Sequence, residues 1–393
     1  MSNIINARSP YYIRTISDPA SNSQTNLVYV EHKIYIWSGD KVNDIPATPT
    51  YTIDKFVKNV DDNFTLIEVS ELIRDYLETE YYNIAVDAVW VKVEKLRYDD
   101  QGNVLNPSQD EATFLAFDGF GEFNEGINPR TSIDPTSTSG FTPMVLQSNT
   151  CIPFVRGRDI KIPIFSEPRP QAVTTVTDEV WNFTDDFWEV VDSNWEATTQ
   201  TQNVTDNDDS NDKIYYLIIT TDNALTGDTI TITSTVGNTQ SVTLTLNEVC
   251  EPKYEAYRSI FYNKFGALQS FWMPTKNVVQ TKTKSKDYNA TTIEASFTAA
   301  PSYSQYKHTK KRFQIDSHQS ITLNTALLNE CLNAPIEQLL VSEQVWLEDE
   351  SLEVLPVILR SNNIIRKTGV NDKAMIQYTL NFDYAFEFIQ NIR

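Results

Sequence analysis

Residues 252–274 read Pro-Lys-Tyr-Glu-Ala-Tyr-Arg-Ser-Ile-Phe-Tyr-Asn-Lys-Phe-Gly-Ala-Leu-Gln-Ser-Phe-Trp-Met-Pro, and no other stretch restricts the fold so strongly. Two strands are expected, Tyr257 to Asn263 and Ala267 to Met273, around a turn at Lys264-Phe265-Gly266. Gly266 can take the positive φ that a bulged hairpin loop of this length needs. Ile260, Phe261, Tyr262, Phe271 and Trp272 are the side chains that suit a pleated, half-buried surface. Aromatics fall on both faces, so the hairpin is expected to be covered on both sides, as a hub between two packed regions. Phe261, Gly266, Phe271 and Trp272 then serve the core rather than a pocket, because apolar runs fill interiors far more often than they line sites.

The 393 residues are enough for two or three domains. Tyr (19), Phe (19) and Trp (7), with frequent Thr and Val, tilt the chain toward strands. The expected fold class is mainly β with α+β regions: antiparallel sheets, a few covering helices and an inserted immunoglobulin-like β-sandwich. Three regions are expected: an α+β N-terminal part of the body at 1–170, an acidic inserted sandwich at 171–250, and an α+β C-terminal part completing the body at 251–393.

Charge divides the chain the same way. Of the net −21, residues 1–170 carry −9, residues 171–250 carry −13 and residues 251–393 carry +1. An acidic middle would repel a phosphate backbone, so it should face solvent or a partner, and only the last third could approach nucleic acid. Cys151, Cys250 and Cys331 have no CxxC spacing, so neither a disulfide framework nor a zinc site is expected. They read as small buried residues in a reducing cytosol. No secretion signal and no membrane span are expected.

Residues 1–25 are polar and turn-rich and read equally as an arm reaching a neighbouring subunit or as a frayed terminus. The alternation from Leu27 to Trp37 gives a strand, followed by another at Tyr51 to Val57. Ser70 reads as the N-cap of a helix through Leu77. Strands at Ile84 to Leu96 and Ala112 to Phe117 complete a sheet under that helix. From Asp118 to Gly140 the chain is Gly-, Pro- and Ser/Thr-rich, a long loop expected to bridge subunits. Phe141 to Phe165 returns to strand, with Pro153 and Pro163 confining it to a sheet edge or standing at its ends.

Glu167-Pro-Arg-Pro170 reads as the linker into the insert, with strands at Ile214 to Thr220, Thr229 to Ser234 and Ser241 to Leu246, and with Trp181, Phe187, Trp188 and Trp195 as its core. Asp206, Asp208, Ser210 and Asp212 place oxygens at alternate positions, as calcium loops do. The sixth-position Gly and the twelfth-position Glu are missing, so a solvated acidic turn is the plainer reading.

After the hub, Lys282, Lys284 and Lys286 share one face of a strand, and Lys307, Lys310, Lys311 and Arg312 follow. Such lysines blunt a sheet edge; alternatively they face DNA or an acidic neighbouring subunit. Asn324 reads as a helix cap, Pro335 restarts the helix through Leu340, and strands follow at Val345 to Leu347, Val354 to Arg360 and Met375 to Phe386. No His/carboxylate/nucleophile constellation, metal motif or phosphate loop stands out, so neither an enzyme nor a cofactor is expected.

The hub pattern Tyr257, Phe261-Tyr-Asn-Lys-Phe-Gly-Ala-Leu268 and Phe271-Trp272, followed by alternating Lys and Thr, resembles one in virion proteins of tailed phages of Bacteroidota, including the crAss-like phages. The opening from Ile4 to Ile13 and the tail from Leu323 through Trp346 to Leu380 resemble the same proteins, whereas residues 171–250 have no counterpart. The resemblance implies a structural part of the neck, collar or tail: a ring of copies around the DNA conduit, touching other neck and tail proteins and assembled in the host cytoplasm. The competing expectation is a carbohydrate-binding adhesin or receptor-binding tail component, using aromatics of the insert as a sugar platform.

Overall fold

The computed structural model describes residues 3–16, 27–39, 42–57, 64–79, 82, 87–105, 111–128, 144–165, 172–180, 196–203, 214–219, 221, 224, 226–234, 241–249, 253–366 and 376–387. The fold is mainly β, with several antiparallel sheets and few helices.

The first sheet runs in the order Asn3–Asn6, Glu111–Phe117, Ala88–Tyr98, Tyr29–Trp37, Tyr51–Phe56, with Val104–Leu105 also paired to Ala88–Tyr98. Tyr29–Trp37 alternates buried and half-buried positions, as a strand with two unequal faces must. One face packs Ile34, Val91 and Phe114 beneath Val69, Ile73 and the two-stranded pair Tyr12–Ile16 with Phe64–Glu68. The other packs Trp37, Trp90, Leu115 and Phe117 against Ala267 and Phe265 of the hub turn.

Two expectations are corrected here. Residues 3–16 are not a free arm: Asn3–Asn6 pairs in parallel with Glu111–Phe117, because Ile4 and Ile5 have core to fill. The helix covers only Ser70–Arg74, and Ser70 is its first residue, not its cap. The Ser70 hydroxyl instead donates to the Glu68 carboxylate.

The middle of the chain holds a five-stranded sheet, in the order Cys151–Phe154, Ser241–Glu248, Thr229–Ser234, Ala172–Val180, Glu196–Asn203. A three-stranded sheet runs Ile214–Ile219, Ile160–Phe165, Met144–Val145. Both feed one apolar cluster that includes Ile152, Phe154, Ile162, Leu217, Ile230 and Leu246. Strands on either side of the boundary expected at 170/171 therefore pair with each other, and one pairing, Cys151–Phe154 with Ser241–Glu248, is parallel. The expected strand from Phe141 to Phe165 is three short strands, and Arg156-Gly157-Arg158 forms a turn between two of them, with Gly157 at φ 76°. Pro153 does sit on an edge strand; Pro163 does not, since Ile160–Phe165 lies between two neighbours. Its ring is tolerated because the strand Met144–Val145 pairs only with Ile164 and Phe165.

The C-terminal sheet is antiparallel throughout, in the order Leu268–Met273, Tyr257–Tyr262, Val345–Glu348, Val354–Leu359, Thr379–Tyr384, Lys310–Asn324, Val278–Asn289. Phe261, Phe271, Ile321, Leu347 and Phe382 form its core beneath the helix Asn333–Val341. Asn324 ends a strand and caps nothing: its amide donates to the Lys276 carbonyl at 2.6 Å, and a 3-10 turn, Glu330–Leu332, precedes the helix. The hub hairpin, Tyr257–Tyr262 with Leu268–Met273, contributes to three separate clusters: Phe261 and Phe271 to this core, Ala267 to the first sheet, and Ile260 and Tyr262 to a third with Trp346.

Cys151 and Cys331 form a disulfide spanning 180 residues, with Cα atoms 6.3 Å apart, which corrects the expectation of unpaired thiols. The pair is invisible in spacing because the edge strand Cys151–Phe154 meets the Glu330–Leu332 turn only through tertiary folding.

Candidate functional site

Val278–Asn289 and the first half of Lys310–Asn324 form a two-stranded ribbon that leaves the body. All twelve residues of the first strand are exposed, as are residues 310–316 of the second. The sequence dictates this. From Thr281 to Lys286, Lys and Thr/Ser alternate and offer no apolar face to bury, whereas Ile321 and Leu323 farther along the second strand are fully buried. The second strand is thus half root and half ribbon, and only Ser320–Asn324 pairs with Thr379–Asp383. At about 3.4 Å per residue, the seven exposed residues 310–316 and their partners give the ribbon a reach of roughly 24 Å beyond the body. A small hairpin, Ile293–Ser296 with Ala299–Tyr303, continues it.

The register assigns the faces. Lys282, Lys284 and Lys286 stand opposite His318, Asp316 and Gln314, while Thr281, Thr283 and Ser285 stand opposite Gln319, Ser317 and Ile315 on the reverse. The pairing shifts between Lys286 and Asp287, beside which the Tyr288 and Phe313 rings meet edge-on at 6.0 Å. Lys310 and Arg312 reach Asp287 at 3.6 and 3.5 Å, and Lys307 reaches Glu294 at 3.1 Å. Lys282, Lys284, Lys286 and Lys311 make no ion pair among the described residues. Phe297, at the end of the ribbon, is wholly exposed, and Tyr306 is 98% exposed. The cations anticipated from sequence therefore lie on one element. Its exposed tip aromatics were missed, although their neighbours are polar.

At the opposite edge of the same sheet, the hub turn locks against residues 118–125. The Phe120 amide donates to the Lys264 carbonyl at 2.9 Å, and Lys264 Nζ meets Glu122 and Glu125 at 3.1 and 2.7 Å. Gly266 has φ 77°, and a Cβ there would lie 2.7 Å from the backbone nitrogens of Asp118 and Gly119. Gly119 is equally tight, at 2.7 Å from the Lys264 oxygen. Arg74 pairs with Glu343 and lies 3.7 Å from the Asp118 carboxylate. Phe123 and Ile127, at the surface of this junction, are almost wholly exposed.

Several other polar side chains among the described residues are held in contacts within the fold. His32 is fully buried, 3.2 Å from the Thr15 hydroxyl, and burial pulls its pKa down to about 4. Arg158 is held by the carbonyls of Asp349 and Glu350, and Arg258 by Glu348, the Asp159 carbonyl and the Trp272 ring. A cavity of about 200 Å³ lies where the hub meets Ile214–Ile219, with Tyr82, Asp87, Lys161 and Tyr262 on its wall. No nucleophile with an adjacent base lines it. Among the described residues there is no group of three His, Cys, Asp or Glu placed to hold a metal. Asp206, Asp208, Ser210 and Asp212, with Trp181, Phe187, Trp188 and Trp195, lie outside the described residues, as do residues 129–140 of the expected bridging loop. No helix among the described residues is long and apolar enough to cross a membrane.

Comparison with protein-family models finds no match, and comparison with curated protein sequences finds none either.

Proposed function

We propose that the chain is a virion structural protein of a tailed phage, the repeating unit of a ring in the neck, collar or tail around the DNA conduit. The observation that carries this reading is the ribbon. A two-stranded hairpin is marginal in water without a third strand or a packed face, yet here one of roughly 24 Å, residues 284–289 with 310–316, stands clear of the body. Its apolar side chains, Phe297 and Tyr306 among them, gain their burial only against another surface. The resemblance of the hub and flanking segments to phage virion proteins points the same way.

The test is the state of the purified full-length protein and its presence in particles. Negative-stain class averages across a concentration series should give one rotational symmetry, and the polypeptide should be found in purified virions. A strictly monomeric protein absent from particles, or one that turns over a substrate unaided, would overturn the reading.

A further inference from the structure

The geometry points to a specific head-to-tail contact, resting on the assembly reading above: the ribbon of one copy docks on the face around Phe123 of the next. Residues 278–316 carry seven basic and three acidic side chains, net +4, on a chain of net −21, leaving −25 on the remainder. A basic element on so acidic a body finds its best partner in another copy. The unpaired lysines Lys282, Lys284 and Lys286 on one ribbon face, with Phe297 beyond them, form a cationic and apolar surface.

One face of the body matches it in both respects. Phe123 and Ile127 stand exposed on the segment 118–128, which Arg74 links through Asp118 to the Ser70–Arg74 helix segment with its exposed Glu71 and Asp75; Glu122 and Glu343 are exposed as well. Contacts of Arg74 with Glu343 and Asp118, and of Lys264 with Glu122, join the helix segment, residues 118–125 and the hub turn. This face surrounds the hub turn, next to the edge strand Leu268–Met273, whereas the ribbon springs from the other edge strand of the same seven-stranded sheet. Six strand spacings of about 4.8 Å put those edges roughly 29 Å apart. The two surfaces cannot meet within one copy across that width unless the ribbon folds back over its own sheet. Between copies they form a heterologous interface, which closes into a ring when the rotation between copies divides a full turn.

Charge exchange tests this in the full-length protein. Reversing the ribbon (Lys284→Glu with Lys286→Glu) should weaken assembly at least tenfold, measured by mass photometry at moderate salt. Reversing the body face (Glu71→Lys with Asp75→Lys) should do the same. Neither pair touches a core residue, and circular dichroism and melting temperature check that both variants fold. Mixing the two variants should restore assembly, because each then presents one reversed and one native surface to the other. Assembly unaffected by ribbon reversal would overturn the docking while leaving the ring reading intact. Failure of the unaltered protein to assemble at any concentration would sink both. The inference would also fail if ribbon reversal abolished retention of a short DNA duplex while leaving assembly unchanged.

Discussion

Asp118 sits where opposing effects meet. Burial pushes its pKa up to about 6, outweighing the pull of Arg8 and Arg74, while Glu343 adds to the rise. One carboxylate oxygen has no hydrogen-bond partner. An unfolded Asp titrates near 3.9, so between about pH 4 and 6 the folded chain holds the extra proton. Stability from this group therefore falls as pH rises through that window, and the full cost is present at neutral pH. Asp118→Asn is expected to exceed the native protein in stability by about 2 kcal/mol at pH 7.5, with the advantage vanishing by pH 4. Urea melts of both proteins across that range would refute this if the gap stayed constant.

At Gly266 two constraints coincide: φ of 77° and backbone nitrogens 2.7 Å from any Cβ. Gly266→Val should cost about 3 kcal/mol or more, read as a fall in melting temperature. The sequence made Gly266 legible, because a lone Gly between two aromatic strands marks the turn. Asp118 was not legible as a titrating group, since its environment is assembled from Arg8, Arg74 and Glu343, which only the fold brings together.

Among elements, the ribbon separates stability from assembly. Replacing residues 285–315 with Asn-Gly, which joins the register pair Lys284 and Asp316 through a tight hairpin turn, removes no buried side chain among the described residues. The melting temperature should move by less than about 3 °C while assembly is lost; a drop several times larger would mean that the ribbon supports the body. Period-two alternation revealed Tyr29–Trp37, and strand-favouring aromatic and β-branched residues on either side of Gly266 revealed the hub pair. Helix starts were poorly legible: Ser70 and Asn324 both carry capping side chains, yet one hydroxyl serves Glu68 and the other amide serves Lys276. The Lys/Thr alternation was visible as a strand, but its isolation depends on the neighbours that are missing around it, which no local pattern records.

On the scale of the whole molecule, composition revealed where charge lies but not which strands share a sheet. The Pro-rich stretch at 167–170 reads as a linker, yet Ile160–Phe165 before it pairs with Ile214–Ile219 after it. Local punctuation marks turns, and pairing across fifty residues is decided by which apolar faces fit. The disulfide escaped notice for the same reason.

The hub hairpin also imposes an order on synthesis. Trp90, Leu115 and Phe117 belong to an apolar cluster that includes Ala267. While the ribosome is still reading the first 250 codons, that face can meet Leu146 and Ile214 but lacks Ala267 and Phe265 over it. A polypeptide that stops short of the hairpin leaves part of this apolar face uncovered, and such surface favours aggregation.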